Sequence, residues 1–332
     1  MKKITYVFFS LLIISGGSIG CITGEKADNN TNENTAKKAE TTYIADYSVA
    51  KESVLRAIPK QYIDLARTSL HIAYQHTSHG TQVARGIFGL QDFKKGDDVL
   101  FGITNKSPED GKLDFNDLVI KSYAAPGIDG SDLSRNETAF IQSTRDFLND
   151  PKNSEINVIM WSWCNIAGHK VAKNYIPGMD LLISEYGKGG TKIGSGDGQR
   201  KNHVTFIFMT GHANVGKNTG KGNPKNQAKL IVDNCMEKQQ FCLDYYSIDA
   251  HDMADNYWED VGDDGNSSAY GGNYYLDWQN SHKLGVDWYE NKKSPGGEVI
   301  FGAHNSQHIT ANRKAFAMWW ILARIAGWNG EK

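Results

Sequence analysis

Several side chains that could do chemistry follow the β-rich runs of this 332-residue chain. Ser78 and His79 come directly after the first such run, Asn165 follows a later one, and His308 stands at the start of the last helical stretch. A serine hydroxyl becomes a nucleophile when an imidazole takes its proton and when hydrogen-bond donors hold the negative charge that develops on the substrate. These residue types therefore predict acyl transfer, with ester hydrolysis as its simplest form.

The catalytic roles can be assigned to a small set of residues. We expect Ser78 to be the nucleophile and His308 to be the base, because His308 could face back over the edge of the sheet. The backbone N–H of Ser78, the amide of Asn165 and a loop glycine (Gly127 or Gly130) would form the oxyanion hole. A simpler alternative is that Ser78 only caps the helix that follows it, since serine is a favoured N-cap residue.

The elements that must position these residues alternate between short strands and amphipathic helices. The β-rich runs predict strands at 69–75, 118–124, 156–161, 204–210 and 243–248. Apolar residues at helical spacing predict helices at 133–148, 175–186, 227–239 and 311–326. Such alternation is typical of a parallel sheet that helices cover on both faces. Ligands bind beyond the carboxyl ends of the strands in these folds, where the polar side chains are expected.

Four short blocks, in this order, give the chain a resemblance to the SGNH/GDSL hydrolase superfamily. The blocks are His76-Thr77-Ser78, Gly127 or Gly130 in PGIDGSDL, Asn165 after INVIMW, and Asn305-Ser306-Gln307-His308 before the last helix. The resemblance implies a three-layer α/β/α sandwich around a central, mostly parallel, five-stranded, flavodoxin-like sheet. It also implies an ester hydrolase, either an esterase or a deacetylase, with Ser78 as its nucleophile.

Two departures from the family pattern bear on the mechanism. The family's Gly-Asp-Ser is absent, and Asn305 replaces the aspartate that would orient His308. An amide can fix a histidine tautomer but stabilises imidazolium less well, and the loss in rate can reach ~10⁴. Asp249 or Asp252, after the fifth predicted strand, could take over this role, or the unit could be a Ser-His dyad. If activity is lost instead, the chain is a glycan-binding protein without catalysis.

The histidines also allow a third function, a metal-dependent hydrolase. The candidate ligands are His76, His79, His212, His304, His308 and the group Asp249, His251 and Asp252. Neither the pair His76 and His79 nor the pair His304 and His308 has the His-Glu-x-x-His form of metalloproteases. Isolated histidines are also commonly hydrogen-bonded parts of the structure. We therefore predict neither a metal nor a cofactor. The stretch 260–266 is interpreted as a solvated turn rather than a calcium loop, and 211–218 lacks the Ser or Thr of a phosphate loop.

An aromatic-rich segment at 252–295 predicts one long surface insertion. Trp278 and Trp288 stand there among amides and carboxylates, a combination that suits sugar rings. Aromatic packing that holds the loop in place is the alternative. On the first interpretation the substrate is an ester on a carbohydrate or another small molecule. Three histidines complete the expected substrate-binding set: His76, His79 and His212.

The N-terminus predicts export. Lys2 and Lys3 precede an apolar run at 4–14, and small residues then lead to Cys21. This pattern is typical of a signal peptide, because the run is too short to span a bilayer as a permanent helix. The residues before Cys21 resemble a bacterial lipobox, which implies that 1–20 are removed and that Cys21 is lipidated. Ordinary secretion with an incidental Cys21 is the alternative.

The chain after residue 20 is predicted to form a tether followed by one domain. The polar stretch 21–42 predicts a disordered tether, and 43–330 predicts a single hydrolase domain in the bacterial cell envelope, held to the membrane by its lipid. A formal net charge of −2 argues against binding to nucleic acid. Cys164, Cys235 and Cys242 are an odd number of cysteines, so they cannot all pair internally. Cys235 with Cys242 is a possible disulfide, which would leave Cys164 buried or functional.

Overall fold

The computed structural model describes residues 42–331, apart from the side chain of Asn305, and these residues form an α/β fold. The predicted signal peptide at 1–20, the proposed lipidation site Cys21 and all but the last residue of the tether at 21–42 lie outside the described residues. Within the described chain, no helix combines the length and the apolar character that a membrane crossing requires.

Seven strands form one sheet in the described part of the chain. They are β1 (Ile44–Ala45), β2 (His71–Gln75), β3 (Ile103–Asn105), β4 (Leu113–Asp117), β5 (Val158–Trp161), β6 (Thr205–Met209) and β7 (Cys242–Leu243). Their order is β1-β7-β6-β5-β2-β4-β3, and all neighbours are parallel. The predicted class, a mostly parallel sheet flanked by helices, is confirmed. The expected count of five is wrong, because the short strands β1 and β3 extend the sheet at its two edges.

Helices cover both faces of this sheet. They are α1 (Glu52–Ala57), α2 (Lys60–Ser69), α3 (Thr81–Leu90), α4 (Asp97–Leu100), α5 (Ala139–Asn149), α6 (Ile176–Tyr186), α7 (Pro224–Lys238), α8 (Tyr245–Ala250), α9 (Tyr274–Ser281) and α10 (His308–Ile325). The helices predicted at 175–186, 227–239 and 311–326 correspond to α6, α7 and α10. The one predicted at 133–148 begins only at Ala139, as α5.

Alternate residues of the central strands point into two separate apolar cores. Ile72 of β2, Met160 of β5 and Met209 of β6 belong to a core that includes α3 and α10. Ala73 of β2 and Trp161 of β5 belong to the other core, which includes α5, α6 and α7. Because successive side chains of a strand point to opposite faces, the two cores place a helical layer on each side of the sheet.

The strand predicted at 118–124 is wrong by about five residues. The strand in this region is β4, which ends at Asp117. Leu118 has a left-handed backbone with φ 58°, and a short 3-10 turn follows, so the apolar residues of this stretch are not extended. By contrast, the strands predicted at 69–75, 156–161 and 204–210 are confirmed as β2, β5 and β6.

The strand predicted at 243–248 is also largely wrong. The chain stays extended only through Leu243, at the end of β7. The side chain of Asp244 then accepts a hydrogen bond from the N–H of Ser247 and starts α8. A capping carboxylate thus turns a β-branched and aromatic sequence into a helix.

The segment 252–295 is more than a surface insertion. It contains α9 and a hairpin of two further strands, β8 (Asn266–Ser267) and β9 (Gly272–Asn273). Tyr274 and Tyr275 are buried in an apolar cluster that also contains Ile309 of α10. The segment therefore packs against the domain next to α10.

The strand order defines where a ligand should bind. From β2 the chain runs through β3 and β4 on one side, and then crosses to β5, β6 and β7 on the other. The direction of winding thus reverses between β2 and β5. In open parallel sheets, ligands bind in the crevice at this topological switch point, beyond the carboxyl ends of the strands.

Candidate active site

Five side chains from distant parts of the chain meet at the switch point, and we call them the switch-point cluster. They are His79 after β2, Cys164 after β5, His212 after β6, Asp263 between α8 and β8, and His304 before α10. The ring of His79 lies between two other imidazoles: its centroid is 3.5 Å from that of His212 and 4.0 Å from that of His304. Both ring pairs are close to parallel, with interplanar angles of 15° and 10°.

The turn after β2 brings His79 against the end of β5. This approach requires glycine at position 80, because a Cβ there would lie 2.2 Å from Ser162 Oγ. Two buried tyrosines fix the turn by donating to its carbonyls, Tyr245 to His79 O and Tyr74 to Gly80 O, both at 2.8 Å. The sequence SHG thus makes a tight, well-anchored turn that holds an imidazole at the switch point.

Cys164, His79 and Asp263 form a chain of contacts. The Sγ of Cys164 lies 3.9 Å from Nδ1 of His79, and Nε2 of the same ring lies 3.3 Å from Oδ2 of Asp263. Asp263 is only 16% exposed at its side chain, and Cys164 is half-buried. A thiol, an imidazole and a carboxylate in this order resemble the nucleophile, base and orienting group of a covalent hydrolase.

The contacts among Cys164, His79 and Asp263 shift the pKa values of the thiol and the imidazole in opposite directions. Burial opposes protonation of His79, but its contacts with Asp263 and Cys164 outweigh burial and raise its pKa to about 9. The contact with His79 lowers the pKa of the Cys164 thiol, against the opposing effect of burial. Both shifts favour a thiolate beside an imidazolium, which is the reactive form of a catalytic cysteine.

The two imidazoles stacked on His79 are neutral. Burial lowers the pKa of His212 to about 4, and burial together with the charge of His79 lowers the pKa of His304. Nδ1 of His212 donates to the carbonyl of Ala213 at 2.7 Å, which assigns the lone pair to Nε2. That Nε2 is buried and has no hydrogen-bond partner in the described chain.

A buried ion pair between Lys314 and Asp249 is linked to the cluster through Gln82. Nζ of Lys314, on α10, lies 2.7 Å from Oδ1 of Asp249 and 2.5 Å from Oε1 of Gln82. The amide of Gln82 in turn points Nε2 at Oδ2 of Asp263, at 3.5 Å. Burial raises the pKa of Asp249 to about 7 and lowers that of Lys314. Asp249 thus supports the site through Lys314 and Gln82 rather than by orienting a catalytic imidazole.

Ser78 lies at the edge of the cluster. Its hydroxyl neighbours the Cys164 thiol and contributes to the lowered pKa of that thiol. Its backbone is left-handed, with φ 42°, which is uncommon for a residue other than glycine. Strain of this kind, in the turn between a strand and a helix, is typical of functional sites.

His308, the expected base, faces another part of the fold. Its Nδ1 accepts the N–H of Asn291 at 3.0 Å, and its ring stacks on Phe301 and Trp288. It is only 5% exposed, and within the described chain no hydrogen bond joins it to Ser78. The loop in front of α10 brings His304 to the cluster instead. The side chain of Asn305 lies outside the described part.

The other expected catalytic residues are distributed around the site. Asn165 follows Cys164 and is exposed, and its Oδ1 accepts hydrogen bonds from the N–H of Ala167 and from the amide of Asn214. Gly127 lies in an exposed turn, whereas Gly130 is buried against Ala124.

The remaining predicted residues have separate surroundings. His76 is buried and bonded to Asp117 at 2.6 Å. Asp252 organises a turn through the amide of Asn256 and the indole of Trp258. Trp278 and Trp288 are half-buried and pack at the edge of the apolar cluster of 252–295. Of the catalytic and substrate-binding residues expected from the sequence, His79 and His212 belong to the switch-point cluster, and Ser78 and Asn165 lie beside Cys164. The candidate metal ligand His304 also belongs to the cluster.

Three members of the cluster were not assigned catalytic roles from the sequence. The cysteine count leaves the role of Cys164 open, and its position shortly after a buried strand is the feature that points to a functional role. His304 stands in the same loop as His308, so the sequence offered two histidines and no means to choose between them. Nothing in the sequence around Asp263 indicates a catalytic role, because its aspartate-rich turn is typical of solvated loops.

The donor set also fits a divalent metal ion. Ligand atoms of His79, His212 and Asp263 all lie within 4.8 Å of one another, and so do those of His79, Cys164 and His304. Two imidazoles and a carboxylate, with an open fourth position, are a set that zinc uses in hydrolytic enzymes. The unpaired Nε2 of His212 is the observation that favours this use.

Comparisons with family models, with curated proteins and with solved structures find no match for this chain.

Proposed function

We propose that this chain is an acyl-ester hydrolase that uses Cys164 as its nucleophile. The chain of contacts from Cys164 through His79 to Asp263 carries this proposal. The inner strands β4-β2-β5-β6-β7 follow the order 2-1-3-4-5 of flavodoxin-like sheets, which agrees with the resemblance to SGNH hydrolases. The geometry moves the proposed nucleophile from Ser78 to its neighbour Cys164.

The proposed reaction has two steps. The Cys164 thiolate attacks the acyl carbon of the ester, and the His79 imidazolium gives its Nδ1 proton to the departing alkoxide as the C–O bond breaks. This leaves an alcohol and a thioester on Cys164. Water then attacks the thioester with neutral His79 as base, the C–S bond breaks, and the acid leaves. The thiolate–imidazolium pair is restored, while Asp263 holds the ring in place.

Donors for the oxyanion come from two residues at the edge of the cluster. The Oδ1 of Asn165 already accepts two hydrogen bonds, at 2.9 Å and 3.2 Å, so its Nδ2 is the group that serves the substrate. The backbone N–H of Ser78 lies at the start of the turn that carries His79. An oxyanion-hole donor contributes about 10²–10³ in rate.

Hydrolysis of p-nitrophenyl acetate and thiol labelling test the nucleophile. We expect Cys164→Ala to lose at least about 10³ in kcat/KM, and iodoacetamide to abolish activity by modifying Cys164. Cys235→Ala is the matched control, because Cys235 is buried in the core on the α7 side of the sheet. It should keep both the activity and the labelling.

Two results would overturn this proposal. If Cys164→Ala stays active while a fluorophosphonate labels Ser78 and Ser78→Ala is inactive, the nucleophile is the serine expected from the sequence. If the wild type cleaves no ester in a broad panel but binds a polysaccharide, the glycan-binding alternative holds. That binding should then weaken in Trp278→Ala.

We also propose that the ester belongs to a glycan of the bacterial cell envelope. A shallow cavity of about 270 Å³ is lined by Tyr270, Asp277, Trp278 and Ser281, a combination of an aromatic face and hydrogen-bonding groups that suits a sugar ring. Trp288 stacks on His308 and donates to the carbonyl of His282, so its role is to hold the loop. Acetylated and deacetylated polysaccharides distinguish the proposal: only the former should release acetate.

A metal-dependent hydrolase is the second candidate, because the unpaired Nε2 of His212 is a ready ligand. In that case His79, His212 and Asp263 would hold zinc, and the metal would supply an activated water at neutral pH. Elemental analysis of the purified protein decides between the two. Stoichiometric zinc that is lost in His212→Gln, with activity abolished by a chelator and restored by zinc, would replace the thiol mechanism.

A further inference from the structure

A cavity of about 340 Å³ opens next to the switch-point cluster, on the side of β4. Its walls come from the turn after β2, the start of α3 and the end of β4, and they include Thr77, Thr81 and Leu118. The volume lies in the range of small-ligand sites, about 300–1,000 Å³. The cavity therefore has room for one substituent of a substrate.

The lining of this cavity is positively charged. Arg85, Lys121 and Lys293 contribute three cations, and Asp117 is the carboxylate among its described lining residues. Asp117 is already bonded to His76, at 2.6 Å. Lys293 pairs with Glu298 at 2.9 Å, whereas Arg85 and Lys121 have no carboxylate within ion-pair distance in residues 42–331. Arg85 and Lys121 thus line the cavity without a direct ion pair among the described residues, and Asp117 acts on Arg85 only at longer range.

Arg85 is the stronger of these two anion ligands. It is half-buried, and one of its nitrogens donates to the carbonyl of Phe301 at 2.7 Å, which fixes the guanidinium. Burial lowers its pKa, and the charge of Asp117 opposes this effect without cancelling it. A guanidinium has several donors in a planar fork, so it can hold a carboxylate, sulfate or phosphate through two hydrogen bonds at once.

The cavity is joined to the reactive cluster at two points. Thr77, on its wall, is the residue before Ser78. Phe301, which holds Arg85, belongs to the same loop as His304. The walls of the cavity are therefore built by the same two loops that carry Ser78 and His304.

We infer that this cavity binds a negatively charged group of the ester substrate, held by Arg85 and Lys121 while the ester reaches Cys164. The inference rests on the proposed ester hydrolase and adds a substrate class to it: esters that carry a carboxylate, sulfate or phosphate. An acidic polysaccharide that bears O-acyl groups belongs to this class.

Two matched esters test the inference, mono-p-nitrophenyl glutarate and its uncharged counterpart p-nitrophenyl valerate. We expect wild type to prefer the anionic ester about tenfold or more in kcat/KM, since hydrogen bonds to charged groups are strong. Arg85→Gln should reduce this ratio to near one, and Lys121→Gln should reduce it several-fold. Lys188→Gln removes an exposed positive charge on another part of the surface and should leave the ratio unchanged.

Calorimetry supplies a second measurement that does not depend on catalysis. Glutarate should bind wild type more tightly than neutral glutaramide, and Arg85→Gln and Lys121→Gln should weaken only the binding of glutarate. If wild type hydrolyses neither ester but this pattern of binding is seen, the proposed function fails and the anion site stands. Equal kcat/KM for the two esters, together with no preference for glutarate, would overturn the inference.

Discussion

His79 connects the parts of the candidate site because each of its ring nitrogens has a different partner. Nδ1 faces the thiol of Cys164, and Nε2 faces Asp263, so one ring can hold a proton against a thiolate while a carboxylate fixes its orientation. The rings of His212 and His304, which stack on its two faces, have lowered pKa values. A charged ring between two neutral aromatic rings is favourable, as in other cation–π contacts.

The pH dependence of Cys164 should reflect this pairing. Alkylation by iodoacetamide should rise through a pKa below the ordinary thiol value, because the His79 imidazolium stabilises the thiolate. Hydrolysis should fall above about pH 9, where His79 loses the proton that the leaving group needs. In His79→Gln the alkylation profile should shift to higher pH, with a rate at pH 6.5 reduced at least about tenfold.

His251→Gln is the control for this profile, since His251 stacks on Tyr47 outside the cluster. It should alkylate as wild type does. An unchanged profile in His79→Gln would show that Cys164 is not paired with this imidazole.

Backbone strain at Ser78 makes a second prediction. The left-handed conformation, with φ 42°, destabilises a residue that carries a Cβ by about 1 kcal/mol. Ser78→Gly should therefore raise the free energy of unfolding by up to about 1 kcal/mol, less what glycine adds to the freedom of the unfolded chain. The same variant should lower kcat, because the turn that presents its N–H to the substrate becomes less rigid.

Urea unfolding at a constant m-value measures this effect. Ser78→Ala is the matched variant, because it loses the hydroxyl but keeps the strain. A glycine variant less stable than the alanine variant would contradict the argument.

At the scale of elements, α10 is the helix that ties the site to the core. Its Lys314 is fully buried and lies between Asp249 of α8 and Gln82 of α3. Lys314→Met leaves the carboxylate of Asp249 buried without its partner, so we expect a loss of about 3–5 kcal/mol in the free energy of unfolding. Adding Asp249→Asn should recover part of that loss, because the amide oxygen can still accept the N–H of Ala213.

Denaturant unfolding of the single and double variants measures the coupling of the pair. Lys229→Met, which breaks an exposed ion pair with Asp233, is the control and should change stability by less than about 1 kcal/mol. Equal loss in the single and the double variant would mean that the ion pair is not what holds α10 here.

The elements were predictable where one local signal dominated. The buried strands β2, β5 and β6 and the long helices α6, α7 and α10 follow from hydrophobic pattern alone. The predictions failed where a single residue changes the backbone: Leu118 is left-handed after β4, and Asp244 caps a helix directly after β7. The edge strands β1 and β3 are only two and three residues long, too short for a periodicity to be visible.

At the scale of the whole molecule, the sequence predicts where the candidate site lies, at the carboxyl ends of the strands. It does not predict which residues form that site. The positions after β2, β5 and β6 follow from the rule for parallel sheets, and they supplied His79, Asn165 and His212. Asp263 and His304 reach the same point from loops whose paths depend on tertiary packing. The sequence therefore predicts Ser78 as nucleophile and His308 as base, whereas the thiol, imidazole and carboxylate of the proposed site come from Cys164, His79 and Asp263.

Attachment to a membrane is the last prediction at this scale. If Cys21 is lipidated, its acyl chains anchor the protein stably, because two or more chains bury enough methylene groups to resist dissociation. Wild type should incorporate an alkyne analogue of palmitate in bacterial cells and sediment with the membranes. Cys21→Ala should lose the label and leave the membrane fraction, while Cys164→Ala should keep both properties. Release of the wild type in soluble form, without label, would favour ordinary secretion with an incidental Cys21.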